Sequence, residues 1–168
     1  YQLYRPKTQS VSEFELGEVT RQVCRLLQNT AHRAGVTLAV QAEPHLPPVR
    51  LSEGEVKQIL YNLLQNAFHA SGNGQTVTVR IAHVGDELHV AVADEGPGIP
   101  ADVLPKIFEP FFSTKQTGVN GGMGLGLSVS QGLIAAMGGR IDVATSPRGT
   151  TFTAVFPISL ESHATPPP

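Results

Sequence analysis

Asn62 and Asn66 stand four residues apart and His69 follows one turn later, so a helix through this segment brings all three side chains to one face. Asparagine is a mediocre helix former, because its amide competes for backbone hydrogen bonds. Two of them beside an apolar stripe need a reason. An amide carbonyl is a neutral oxygen ligand suited to Mg²⁺, which keeps several waters and shares its remaining positions with substrate phosphates. An amide-rich, solvated helix face satisfies the same spacing. Further on, Asp94 opens Asp-Glu-Gly-Pro-Gly-Ile-Pro, where Gly96 and Gly98 let backbone pass close to a ligand while Pro97 and Pro100 stiffen the turn. A carboxylate there can accept a hydrogen bond from an exocyclic amine such as that of adenine. A tight turn with an Asx cap is the plainer alternative.

Two more segments follow. Ile107-Phe-Glu-Pro-Phe-Phe-Ser-Thr-Lys115 sets Phe108, Phe111 and Phe112 where they can hold the base of a loop on the core, with Lys115 able to reach a phosphate from the loop's outer part. Ordinary core packing also explains the rings and does not exclude a lid. The run Gly121-Gly-Met-Gly-Leu-Gly-Leu-Ser128 lies directly before a helical segment, where glycines free backbone amides to cradle phosphate and the helix dipole helps. It lacks the Gly-Lys-Ser/Thr ending of a P-loop, and taken singly it is weak.

The elements that must position these residues are legible from periodicity. Val19, Val23, Leu26, Leu27 and Thr30 recur at helical spacing and predict an amphipathic helix from about Gly17 to Arg33, ended by Gly35. Val36, Leu38 and Val40 alternate with polar or small residues as a half-buried strand does, and Pro44, Pro47 and Pro48 then forbid regular structure. Ser52 and Glu55 form a capping box for a helix whose apolar stripe is Val56, Ile59, Leu60, Leu63, Leu64, Ala67 and Phe68. Thr76–Ile81 and Leu88–Ala93 read as an antiparallel pair joined at Gly85-Asp86.

Residues 94–125 are a long Gly- and Pro-rich stretch, and loops of that length inside a domain tend to be lids or binding elements. A second apolar helix is predicted from about Leu125 to Met137, stopped by Gly138-Gly139. Two closing strands, about Arg140–Thr145 and Thr150–Pro157, flank a Ser-Pro-Arg-Gly turn. Hairpins combined with intervening helices indicate an α+β fold, a two-layer α/β sandwich in which a mixed, mostly antiparallel sheet packs on helices.

With 168 residues, 40% of them hydrophobic and 15% charged, the chain can bury one substantial core. Its formal charge of -2 is scattered, so no cationic face advertises nucleic acid or anionic lipid, and neither is expected as a partner. The single cysteine, Cys24, sits in helical apolar spacing and reads as a packed thiol. No stretch reaches the length of a membrane span and the first residues lack a signal-peptide core, so the expected setting is cytoplasmic. The parent is left open to membrane anchoring, because the chain begins without methionine in what reads as a linker. The expected division is a linker or the end of a preceding segment over 1–12, one domain over 13–160 with a lid at about 100–124, and a disordered tail over 161–168.

Taken in order, "NLLQNAFHAS", "DEGPGIP", "FEPFFSTK" and "GGMGLGLS", with the closing "GTTFTAVFP", closely resemble the N, G1, F and G2 boxes and final strands of histidine-kinase catalytic domains, over roughly Val11 to Ile158. The resemblance implies the Bergerat ATP-binding fold and the ligands ATP and Mg²⁺. It implies that Asp94 recognises the adenine amine and that Asn66 binds Mg²⁺, with Asn62 near the metal and phosphates. Gly122, Gly124, Leu125 and Gly126 offer backbone to the phosphates on this reading, and Lys115 belongs to the lid. Gly96, Gly98, Ile99, Leu127 and Thr150 complete the expected nucleotide-binding set, together with His69, which occupies a position where many relatives carry lysine. Met123 stands where threonine is frequent.

The same fold is shared with type II topoisomerases, mismatch-repair ATPases and heat-shock chaperones. Those ATPases resemble one another in placing a glutamate, a general base for water, four residues before the metal-binding asparagine. Here that position is Asn62, which cannot take a proton at neutral pH. This departure favours a kinase, and Asn62 is the one catalytic candidate in the chain. None of His32, His45, His83, His89 and His163 has the acceptor-helix sequence beside it, so the phosphorylated histidine is expected on a separate dimerisation and phosphoacceptor domain of the same parent, with a response regulator downstream. A hydrolysing ATPase of this fold and a nucleotide-free interaction module are the alternatives.

Overall fold

The computed structural model describes residues 10–112 and 126–158. In chain order they form β1 (Val11–Phe14), α1 (Leu16–Arg33), β2 (Thr37–Ala42), β3 (Val49–Ser52), α2 (Glu53–Ala70), β4 (Thr76–Val84), β5 (Glu87–Ala93), α3 (Gly126–Ala136), β6 (Arg140–Ser146) and β7 (Gly149–Pro157). One turn of 3-10 helix, Leu104–Lys106, interrupts the loop after β5.

Five strands form one sheet in the order β2-β4-β5-β7-β6, in which only β2 and β4 are parallel. Parallel neighbours need a long crossover, and the chain between β2 and β4 supplies one through β3 and α2. The other neighbours are antiparallel, so the expected mixed, mostly antiparallel sheet is present. Alternation decides which face is dry. Val77, Val79, Ile81, Leu88, Val90, Val92, Phe152, Ala154 and Phe156 are buried in a core shared with the three helices, while the residues between them along each strand are more exposed, except Val155, which is buried too. The result is two layers.

The α2 helix forms as its sequence predicts. Ser52 caps it, its hydroxyl accepting from the Glu55 amide at 3.4 Å, and all seven residues of the expected stripe are buried. Full burial of each larger member contributes about 1.5–3 kcal/mol. Because Asn62 and Asn66 interrupt that stripe from the side, core packing fixes where both amides emerge.

Two expectations fail. Leu26 is 80% exposed and Thr30 only half-buried, because the dry face of α1 runs through Leu16, Thr20, Val23, Cys24, Leu27 and Ala31. One residue is about 100° of turn, which carries Leu26 off that face although Leu27 lies on it. Residues 11 and 12 fall in the stretch expected as a linker or the end of a preceding segment, yet they are regular. They belong to β1, which pairs antiparallel with β3 from Val11↔Ser52 to Phe14↔Val49. The pairing is non-local and β3 follows Pro47-Pro48 directly, so no hairpin signal announces it. The Arg50 amide also donates to the Ile158 carbonyl at 2.8 Å, bringing the end of β7 beside β3.

Cys24 is buried as expected, and burial pushes its thiol up to about 11. Among the described residues no helix is long and apolar enough to cross a membrane.

Candidate nucleotide site

Asp94 is the first residue beyond β5, and it is buried. The strand pairing effectively continues one step past β5, since the Asp94 amide donates to the Thr150 carbonyl at 2.9 Å. Its Oδ1 accepts from the Thr150 amide at 3.2 Å and from the Gly96 amide at 2.9 Å. Oδ2 takes part in neither bond. As no fully enclosed side-chain oxygen among the described residues lacks a partner, Oδ2 keeps some contact with solvent. Burial raises the Asp94 pKa above the ordinary carboxylate range, and the two amide bonds oppose that shift. The Asx-type cap read from the sequence is present, and it uses one carboxylate oxygen only. Oδ1 makes that cap, and Oδ2 stands outside it.

The glycines after Asp94 are required by the packing of the chain on itself. A Cβ on Gly96 would lie 2.5 Å from the Ala70 carbonyl oxygen at the end of α2, and one on Gly98 would collide with the Ser146 carbonyl. Gly98 also has φ +84. The close approach is to the protein's own backbone, which packs the loop between α2 and the β6–β7 turn. The Ile99 amide then donates to Thr145 Oγ1 at 2.9 Å, and that hydroxyl lies 2.8 Å from Thr150 Oγ1. Thr145, absent from the expected set, thus ties the loop to both closing strands. Only a hydroxyl inside an otherwise plain strand pattern could have hinted at it.

On α2, Asn66 is half-buried and His69 exposed, one turn nearer the helix end. No hydrogen bond among the described residues engages the Asn66 side chain, so its carbonyl oxygen can take an incoming ligand. Asn62 is committed differently. Its Nδ2 donates to the Gly126 carbonyl at 3.2 Å and to Ser130 Oγ at 3.0 Å, while Oδ1 accepts from Gln58 Nε2 at 2.9 Å. It therefore clamps α2 to the first turn of α3. Leu127, next in that turn, is half-buried against the core, and Gly126 is exposed. Ser130, like Thr145, escaped the sequence reading.

Lys115, Gly122, Gly124 and Leu125 lie outside the described residues, as do most of the glycine-rich run and part of the expected lid. At the base of that loop, Phe108 packs edge-to-face on Phe152 with ring centres 6.4 Å apart, and Phe112 also packs on the core. Phe111 does not. Its backbone is left-handed, φ 65, which breaks the local repeat and leaves the ring 68% exposed.

No group of three or more His, Cys, Asp or Glu side chains among the described residues could hold a metal. A Mg²⁺ site built from an asparagine oxygen, waters and substrate phosphates needs no such group, so Asn66 fits that ion. An open cleft of about 460 Å³ at the end of α2 has walls that include Ser71, Gln75, Glu95 and Pro147. Its polar side chains are already used: Gln75 Nε2 donates to the Glu95 carbonyl, and Glu95 Oε1 accepts from the Thr76 amide. Neither Asp94 nor Asn66 lines it. It is a recess beside the site.

Comparison with known proteins bears on the family and the fold. Residues 52–160 match the family model described as histidine kinase-, DNA gyrase B-, and HSP90-like ATPase. The chain is 36% identical over 160 residues to the sensor histidine kinase ZraS of Klebsiella oxytoca, covering 94% of this chain and 34% of that protein. It thus spans about a third of the length of that curated relative. Among solved structures, the nucleotide-free catalytic domain of histidine kinase ThkA superposes with a TM-score of 0.82 at 30% identity, covering 92% of this chain and 99% of that one. ThkA has also been solved in complex with the response regulator TrrA, with a TM-score of 0.78, 28% identity and coverage of 91% and 43%. Full-length ShkA in complex with AMPPNP gives 0.79 at 32% identity, covering 88% of this chain and 31% of that one. With its family model matched across both α2 and the closing strands, the chain belongs to the histidine kinase-, DNA gyrase B-, and HSP90-like ATPase family.

Proposed function

We propose that this domain binds ATP with Mg²⁺ and donates the γ-phosphate to a histidine on a separate dimerisation and phosphoacceptor domain of the same parent protein, in two-component signal transduction. The observation that carries the reading is Asp94, a buried carboxylate with Oδ1 held by two amides and Oδ2 open. An acceptor so fixed suits an exocyclic amine such as adenine's, in a site dry enough for the bond to count. The AMPPNP bound by the similar kinase ShkA supports a nucleotide here, and the response regulator bound to ThkA supports an indirect partner of that kind.

Asp94 holds the base, and the Asn66 carbonyl offers a ligand to the ion at the phosphates. The ion, when bound, neutralises charge on the phosphates. Lys115 and the backbone of Gly122, Gly124 and Leu125 are assigned to the triphosphate, with Gly126, Leu127 and His69 at its margin. Asn62 cannot abstract a proton, and its amide is already engaged at both ends. Water near the γ-phosphate therefore meets no base at that position. The domain holds ATP until the acceptor histidine arrives.

The decisive experiment supplies the chain with radiolabelled ATP, Mg²⁺ and a separately purified phosphoacceptor domain from the parent protein. Phosphate on the acceptor histidine is the expected result. No labelled histidine, with rapid acceptor-independent hydrolysis in its place, would establish an ATPase instead.

A further inference from the structure

Ser130 is fully buried on the side of α3 that packs on α2, in line with the apolar Ile134 and Met137. Enclosing a hydroxyl costs free energy unless it is hydrogen-bonded, and an alanine would fill this position without that cost. The hydroxyl must therefore do something. Its oxygen accepts from Asn62 Nδ2 at 3.0 Å, and the same nitrogen donates to the Gly126 carbonyl at 3.2 Å. A carbonyl can only accept, so a flipped Asn62 amide would set two oxygens against each other. The Gly126 carbonyl thus decides which end of Asn62 faces inward, and Ser130, whose hydroxyl can donate or accept, gives that same nitrogen a second, fully buried partner. Gln58, one turn earlier on α2, donates to Oδ1, and that oxygen keeps a second lone pair for a further partner.

We infer that Ser130 is a positioning residue for the polyphosphate end of the nucleotide site. By accepting from the Asn62 nitrogen that the Gly126 carbonyl orients, it seats the start of α3 on α2 and anchors Asn62 with its carbonyl outward, on the helix face that also carries Asn66. The inference rests on the reading of this site as one for Mg²⁺-ATP. It concerns the phosphates rather than the base, because the base acceptor Asp94 is held by Gly96 and Thr150 and by nothing on α3.

The test compares ATP and adenosine binding, by calorimetry with Mg²⁺ present, in the 168-residue chain and its variants. Ser130→Ala is expected to weaken ATP about five- to tenfold, the loss of one neutral hydrogen bond, and to leave adenosine unchanged. Ser130→Cys, which is slightly larger and accepts poorly, should repeat that loss without opening a cavity. In an Asn62→Ala background Ser130→Ala should add less than about a twofold change, because Asn62 is the route of its effect. Unchanged ATP affinity in both variants, an equal loss for adenosine, or a full further loss without Asn62 overturns the inference while the proposed function stands. A parent chain that binds no ATP overturns the proposed function itself and the inference with it.

Discussion

Asp94 and Thr150 are bonded to each other twice: the Asp94 amide donates to the Thr150 carbonyl at 2.9 Å, and the Thr150 amide donates to Asp94 Oδ1 at 3.2 Å. The end of β5 and the start of β7 thereby fix a carboxylate that a loop alone would leave free to turn. Its second oxygen is aimed by the sheet.

Replacing that oxygen should separate binding from folding. Asp94→Asn keeps an acceptor for the Gly96 and Thr150 amides but places an N–H donor where Oδ2 stood, facing the donor of an adenine amine. ATP affinity should fall about ten- to a hundredfold. Thermal unfolding of the nucleotide-free protein should be unchanged or shifted upward, since a buried charge is removed. A variant that binds ATP as the parent does would end the adenine assignment.

Protonation should act on the same atom. Two amides occupy Oδ1, so a proton on Asp94 goes to Oδ2 and turns the acceptor into a donor. Because burial raises this pKa, ATP affinity should decline as pH falls through a value above the ordinary carboxylate range. Stability runs the other way. A raised folded pKa favours the protonated form, so the Asp94 contribution is full below the unfolded pKa, near 4, and is lost as pH rises through the folded value. Titrations of ATP binding and of unfolding should therefore slope oppositely in this window, and Asp94→Asn should flatten both.

Asn66→Ala should reveal a metal-linked loss. Affinity for ATP with Mg²⁺ is expected to drop about tenfold, the size of one good ligand contact, while affinity measured in chelator changes little. Equal losses in the two conditions would remove Asn66 from the metal's coordination.

The α1 helix offers a test of packing alone. Leu27→Ala, at a buried site, should destabilise the domain by about 2–5 kcal/mol, whereas Leu26→Ala at an exposed one should stay within about 0.5 kcal/mol. Denaturant unfolding curves distinguish them directly.

Cys24 should resist thiol reagents in the folded protein, because it is buried and its thiol stays protonated up to about 11. Stability tied to this group is full below its unfolded value, near 8.5, and is lost as pH rises through about 11. Modification that outpaces global unfolding at neutral pH would contradict the packing of α1.

Much of this was written in local pattern. The stripe from Val56 to Phe68 and the Ser52 cap specify α2 without reference to the rest of the chain, and hence fix that Asn62 and Asn66 share a face. Alternation and Gly85-Asp86 specify the β4–β5 hairpin in the same way. These signals are legible because helix and strand periods are properties of neighbours in sequence. The order and chemistry of the four motifs then name the family.

Tertiary structure decided what depends on residues far apart. Val11 and Ser52 pair across 41 positions, Thr150 reaches Asp94 across 56, and Ser130 meets Asn62 across 68, distances over which no local period carries information. The choice of Leu27 over Leu26 for the core likewise waited on where the sheet lay. So the sequence by itself determined the helices, the hairpin and the residue types that a nucleotide needs. Only the packed molecule determined that Oδ2 rather than Oδ1 of Asp94 is open, that Gly96 and Gly98 accommodate backbone, and that Asn62 faces α3, because hydrogen-bond direction is set by partners that folding brings together.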